Sequence, residues 1–142
     1  MYRVASFRLW LSGRCAVTFG VRRYERFVAW RECHALALRI YKETEHFPKH
    51  ELYGLTSQAR RAAFSAAVNI VEGSSKRGAA EFRRFLDIAI GSLGELGYII
   101  RFAADLQLLP AGVAADLEQH QARARVLTWR LCLAMGKASA RH

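Results

Sequence analysis

Apolar residues recur three and four positions apart along four long stretches of this chain, and short polar breaks separate them. That spacing is the signature of helices burying one face. The first stretch covers about residues 24–43, with Phe27, Trp30, His34, Leu38 and Tyr41 on one stripe; His34 there is expected to be a hydrogen-bonded packing histidine. The second covers about 51–72. Its inner stripe is Leu52, Leu55, Ala59, Ala62, Ala66 and Ile70, and Phe64, Val68 and Val71 form a second stripe on another side. Two apolar faces predict two neighbours, one of them in a partner subunit. The third runs from a cap at Gly78 to about Leu109, with Phe82, Phe85, Leu86, Ala89, Leu93, Leu96, Ile100, Ala103 and Leu106 facing inward. The fourth covers about 113–136, where Val113, Leu117, His120, Ala124, Leu127, Leu131 and Ala134 keep a heptad rhythm.

Proline occurs only twice, at Pro48 and Pro110, both in the breaks. Strand-like alternation with Asn-Gly or Asp-Gly turns is missing. These patterns predict an all-α protein: an antiparallel up-down-up-down four-helix bundle over residues 21–142. A chain of 142 residues suits one such core. Residues 1–20 carry Arg3, Arg8 and Arg14, no acid and no clean periodicity. They are expected to be a weakly ordered extension; a basic arm for nucleic acid is the alternative. No stretch is long and apolar enough to span a membrane, so no membrane partner and a cytoplasmic location are expected.

Charge adds a functional direction. Lys and Arg number 22 against 12 Asp and Glu, a formal net charge of +10, and 18 of the bases are arginine. Such a surface attracts polyanions, and arginine suits bidentate phosphate contact. An arginine-rich codon bias is the plainer explanation of the same count. Cys15, Cys33 and Cys132 form no C-x-x-C pair, which reads as packed free thiols in a reducing compartment. His46 and His50 flank Pro48 and share no helical face, so neither a metal nor any other cofactor is expected.

Candidate chemistry is sparse. The segment Gly91–Gly97, GSLGELG, has three glycines inside a helical pattern, without the strand or lysine of a phosphate loop. Each costs about 1 kcal/mol against alanine, so close helix contact is expected there, with a local bend as the alternative, and Gly91 is a candidate junction residue. Asn69, Glu72 and Gly73 read as a satisfied helix end, with Gly73 as a left-handed cap. Glu72 sits where the helix dipole disfavours an anion, and a structural salt bridge at a helix or subunit junction is its first reading. No Ser-His-Asp spacing exists, and a pocket of Glu72 with His34 or His120 would be needed for catalysis. The chain is therefore expected not to be an enzyme. Basic pairs recur instead. Lys76, Arg77, Arg83 and Arg84 flank the start of the third helix, a place suited to phosphate. Arg60 and Arg61 either secure a junction or extend the basic surface. Backbone binding without base readout is the natural form of this hypothesis.

The stretch FPKHELYGLTSQARRAAFSAAVNIVEGSSKRGAAEFRRFLDIAIGSLGEL, Phe47 to Leu96, resembles the intervening-sequence protein family. Its carriers include Phe47-Pro48, Tyr53-Gly54-Leu55, Gln58, Arg60-Arg61-Ala62, Asn69-Ile70, Glu72-Gly73, Glu81-Phe82 and Gly91-Ser92-Leu93. Members of that family were first noticed as reading frames inside insertions in bacterial 23S ribosomal RNA genes, and related proteins are accessory factors of diversity-generating retroelements. The resemblance implies a four-helix bundle assembled into a homopentameric ring without enzymatic activity. It implies RNA or DNA bound through a basic surface, with a reverse transcriptase or other protein as partner. A scaffold for an acidic protein partner is the competing reading. Gly78, Gly94 and Gly97 depart from the family pattern.

Overall fold

A computed structural model describes residues 22–140, so the extension expected at residues 1–20, with Cys15, lies outside the described residues. A 3-10 turn, Arg23–Arg26, leads into helix α1, Val28–Glu43. Two further 3-10 turns, Thr44–His46 and Lys49–Glu51, precede α2, Leu55–Ser74. Helices α3, Ala79–Asp105, and α4, Ala111–Ser139, follow. Among the described residues there are four α-helices and no strand. α2 packs on α3, α3 on α4, and α1 against both α2 and α4.

The α2–α3 seam is made by small residues. Ala59, Ala62, Ala63, Ala66 and Ala67 are all buried on α2, as are Leu86, Ala89, Leu93 and Leu96 on α3. Alanine keeps helix propensity high while letting backbones approach. Gly73 closes the seam. It is helical rather than a left-handed cap, because α2 continues to Ser74. A Cβ on Gly73 would stand 2.6 Å from Phe82 Cδ2 and 2.8 Å from Phe85 Cβ. Space, not backbone freedom, explains this glycine.

Boundaries differ from the sequence reading for identifiable reasons. α2 starts at Leu55 because Glu51 stays in the preceding turn and its carboxylate accepts the Leu55 N–H at 3.1 Å. α3 stops at Asp105 because Gln107 turns left-handed, with φ 59°. Leu108 N–H then bonds Ala103 O at 2.9 Å and Gln107 N–H bonds Ala104 O, closing the helix before Pro110. Pro110 instead opens α4.

The buried faces also differ. On α1 the core residues are Ala29, Cys33, Leu36, Ala37 and Ile40, whereas Leu38 and Tyr41 are exposed. His34 is exposed too, stacked on Trp30 at 4.9 Å rather than packed inside. Both stripes have helical spacing. The buried one places Cys33 Sγ 3.6 Å from Thr128 Oγ1 on α4. Leu52, in the turn before α2, is exposed and Leu55 only half-buried; Leu106, just past the end of α3, is exposed. On α4 the seam runs Ala114, Leu117, Ala124, Thr128 and Cys132. Its second half lies one residue beyond the heptad positions; Leu127 and Leu131 are half-buried and Ala134 is exposed. A straight helix drifts by about 20° per heptad, in that direction.

Gly73→Ala is expected to lower stability by about 1–3 kcal/mol through overpacking against Phe82 and Phe85. Gly94→Ala, which meets nothing within 4 Å, is expected to raise it by up to about 1 kcal/mol. Thermal and urea unfolding of the two variants checks both signs.

Candidate nucleic-acid interface

Three segments distant in sequence meet at one end of the helices. The Phe27 ring packs tilted against Phe82, ring centroids 5.3 Å apart, and so brings the Arg23–Arg26 turn to the start of α3. Gly136 of α4 lies against Arg83, where an added Cβ would be 3.3 Å from Nη1. The same end therefore carries Arg22, Arg23 and Arg26, the α2–α3 turn with Lys76 and Arg77, then Arg83 and Arg84 on α3 and Lys137 on α4. All are exposed. Lys76 Nζ sits 5.3 Å from the Phe85 ring centre, a cation–π contact. Among the described residues, Lys76, Arg77, Arg83 and Arg84 have no carboxylate within 4.0 Å.

The α3 N-terminus lies in the middle of this group. Gly78 caps it with φ 90° and ψ 155°, a backbone state that glycine adopts without strain. No side chain caps the first turn. Its N–H groups and the helix dipole thus face the cations' side of the molecule.

Arg60 and Arg61 are elsewhere. They lie on α2 about 20 Å from the Lys76 turn, at 1.5 Å per residue. Arg60 Nε donates to Thr44 Oγ1 at 2.9 Å, its Nη2 to Tyr41 O at 3.4 Å, and its guanidinium lies over the Tyr41 ring at 4.8 Å. Thr44 Oγ1 in turn donates to Ile40 O at 2.7 Å. Arg60 thus ties α2 to the C-terminus of α1, the junction role. Arg61 is exposed beside Tyr41, Tyr53 and Phe64. Carboxylates pair other cations around that end: Asp116 with Arg39 at 3.5 Å and Asp105 with Arg101 at 3.3 Å.

The expected junction residues separate in the same way. Asn69 is buried, and its Nδ2 donates to Ser65 O at 2.8 Å and Ser65 Oγ at 3.1 Å. Ser65 Oγ meets Ser92 Oγ at 2.8 Å, so Asn69 supports an α2–α3 polar contact. Glu72 is exposed and makes no ion pair among the described residues, contrary to its expected bridge. Gly91 and Gly94 meet nothing within 4 Å, so the close contact expected for them is not made inside this chain. Only Gly97 is pressed: a Cβ there would be 2.9 Å from Gln121 Nε2, which donates to Leu93 O at 2.6 Å.

The groups proposed for acid–base chemistry are also scattered. Glu72 ends α2, His34 stacks on Trp30 on α1, and His120 lies on α4. The His120 side chain is 12% exposed, with Nε2 3.2 Å from Glu32 Oε2 but not aligned for a hydrogen bond. Arg123 Nε takes the same Glu32 oxygen at 2.8 Å. Burial first, then the Arg123 charge, lowers the His120 pKa, with Glu32 opposing. Burial pushes the Cys33 thiol up to about 11, and burial with the Asp87 carboxylate raises that of Cys132. Neither thiol is activated as a nucleophile. Among the described residues no group of three His, Cys, Asp or Glu side chains could hold a metal. No helix among them is long and apolar enough to cross a membrane.

The sequence model of the 23S rRNA-intervening sequence protein family matches residues 25–127, which span all of α1, α2 and α3 and more than half of α4. The chain belongs to that family. A crystal structure of a protein of unknown function from the S23 ribosomal protein family of Bacteroides thetaiotaomicron matches with a TM-score of 0.67 and 18% identity. The match covers 74% of this chain and 98% of that one, a likeness of fold. No curated protein matches.

Sequence pairs such as Arg22-Arg23 were visible, but their meeting with Lys76 and Lys137 depends on which helix ends coincide. No linear signal reports that. His120 supplies a pH test. A lowered folded pKa keeps its stabilising effect above the ordinary histidine value of 6.5 and loses it as pH falls below. Melting temperature is expected to drop between neutral pH and about pH 5, and His120→Asn to flatten part of that drop.

Proposed function

We propose that this family member is a non-enzymatic, cytoplasmic accessory protein that grips the phosphate backbone of RNA or DNA with the basic end described above. The observation that carries the reading is the group Lys76, Arg77, Arg83 and Arg84, unpaired among the described residues and set around a helix N-terminus that no side chain caps. Cations held by carboxylates add little to phosphate binding, whereas unpaired ones release counterions from nucleic acid. Arg22, Arg23, Arg26 and Lys137 widen the same surface. Arg60 belongs to the α1–α2 junction and not to this surface.

The helices are proposed to run up-down-up-down. Ser65 meets Ser92, Gly73 meets Phe82, Leu93 meets Gln121 and Asp87 meets Cys132, so each number rises on one helix as it falls on the next. Self-association into a ring, a pentamer in keeping with the family resemblance, completes the proposal. Its support is exposed apolar surface on different helices, with Leu38 and Tyr41 on α1, Phe64 on α2, Ile88, Tyr98 and Phe102 on α3, and Val126 and Leu133 on α4. A closed ring needs two different complementary patches, and patches of this kind mark association sites. Repetition around a ring would multiply weak phosphate contacts. A scaffold for an acidic protein partner, such as a reverse transcriptase, is favoured by the same unpaired cations and is distinguished by survival of the complex under nuclease.

Binding to a generic RNA is expected to weaken steeply with salt and to vary little with sequence, with a log–log slope of about −2.8 or steeper if four or more phosphates of a single strand are neutralised. Filter binding across a salt series measures it; a flat series contradicts the reading. Phe64→Glu with Tyr53→Glu is expected to reduce the particle to monomers by light scattering.

A further inference from the structure

Beside the basic end lies a groove that the phosphate reading leaves unused. α3 and α4 enclose about 320 Å³ between Arg83, Asp87, Trp129, Cys132, Leu133 and Lys137. That is within the range of small-ligand sites. Trp129 is 51% exposed and Leu133 48%, and both line the groove. Arg83, already part of the basic end, also lines the groove; its guanidinium lies on α4 where Gly136 has no side chain to displace it. Lys137 stands one residue beyond. The Asp87 carboxylate accepts from Cys132 Sγ at 3.4 Å, leaving its second oxygen outside that bond.

The geometry points to a stacking site for one base of single-stranded nucleic acid: the base on Trp129, its flanking phosphates on Arg83 and Lys137. The inference rests on the backbone-binding reading and specifies its ligand. A fully paired duplex keeps its bases stacked inside and cannot offer a face to the indole, whereas a single strand can. The arrangement combines the two elements of sequence-tolerant single-strand binding, a cationic track and an aromatic platform. The sequence hides this pairing, since Trp129 and Arg83 lie on different helices.

Fluorescence anisotropy with three labelled probes tests it: a short oligouridylate, the same strand made wholly of abasic residues, and an RNA duplex of equal length. Wild-type protein is expected to bind oligouridylate roughly tenfold tighter than the abasic strand. Trp129→Ala is expected to erase that difference while leaving abasic and duplex binding unchanged, and Trp129→Phe to keep most of it. Lys76→Ala with Arg77→Ala is expected to weaken all three. Equal affinity for the oligouridylate and abasic strands, with the Lys76/Arg77 loss intact, overturns the stacking site and leaves the basic end standing. The stacking site also falls if Trp129→Ala weakens all three probes alike. Binding to none of the probes at low salt overturns both readings.

Discussion

The close approach of α2 and α3 is the constraint on which the rest depends. Five buried alanines and Gly73 on α2 replace the large side chains that would hold the helices apart. Phe82 and Phe85 then pack directly on Gly73, so the connecting turn spans a short gap. That turn carries Lys76 and Arg77 and delivers Arg83 and Arg84 one turn into α3. Phe27 rests on Phe82, which brings the Arg23–Arg26 turn to the same place. A packing decision made with small residues thus determines where positive charge accumulates.

The charge is unevenly distributed as a result. Glu43, Glu45, Glu51, Asp105, Asp116 and Glu118 cluster around the α1–α2 and α3–α4 connections, where Arg39 and Arg101 are paired. The other end keeps its cations free of carboxylate partners among the described residues. A net charge of +10 spread evenly would attract any polyanion weakly. Concentrated beside a helix N-terminus, it becomes a directed surface, and Arg83 connects that surface to the Trp129 groove.

Much of the fold was legible because helical periodicity, two prolines and the small face of α2 all point the same way. The buried stripe of α1 was not. Phe27, Trp30, His34, Leu38 and Tyr41 and the smaller set Ala29, Cys33, Leu36, Ala37 and Ile40 have equally good spacing, and spacing alone does not choose between them. Gly73 was legible as special but for the wrong reason, since a glycine near a helix end signals either a cap or a close approach. At the site, Lys76, Arg77, Arg83 and Arg84 were found from proximity in sequence. Arg60 was separated from them only by seeing its bonds to Thr44 and Tyr41. Lys137 and Trp129 join through tertiary contact, which leaves no local mark.

The central claim is that position, and not total charge, carries nucleic-acid binding. The most direct test compares two variants of equal charge loss by titration with one RNA. One replaces Lys76, Arg77, Arg83 and Arg84 with serine; the other replaces Lys42, Lys49, Arg61 and Arg101. The account predicts that the first abolishes measurable binding and flattens its salt dependence while the second binds nearly as the wild type does. Equal losses in the two would contradict it and leave only a diffuse attraction of a basic protein for a polyanion.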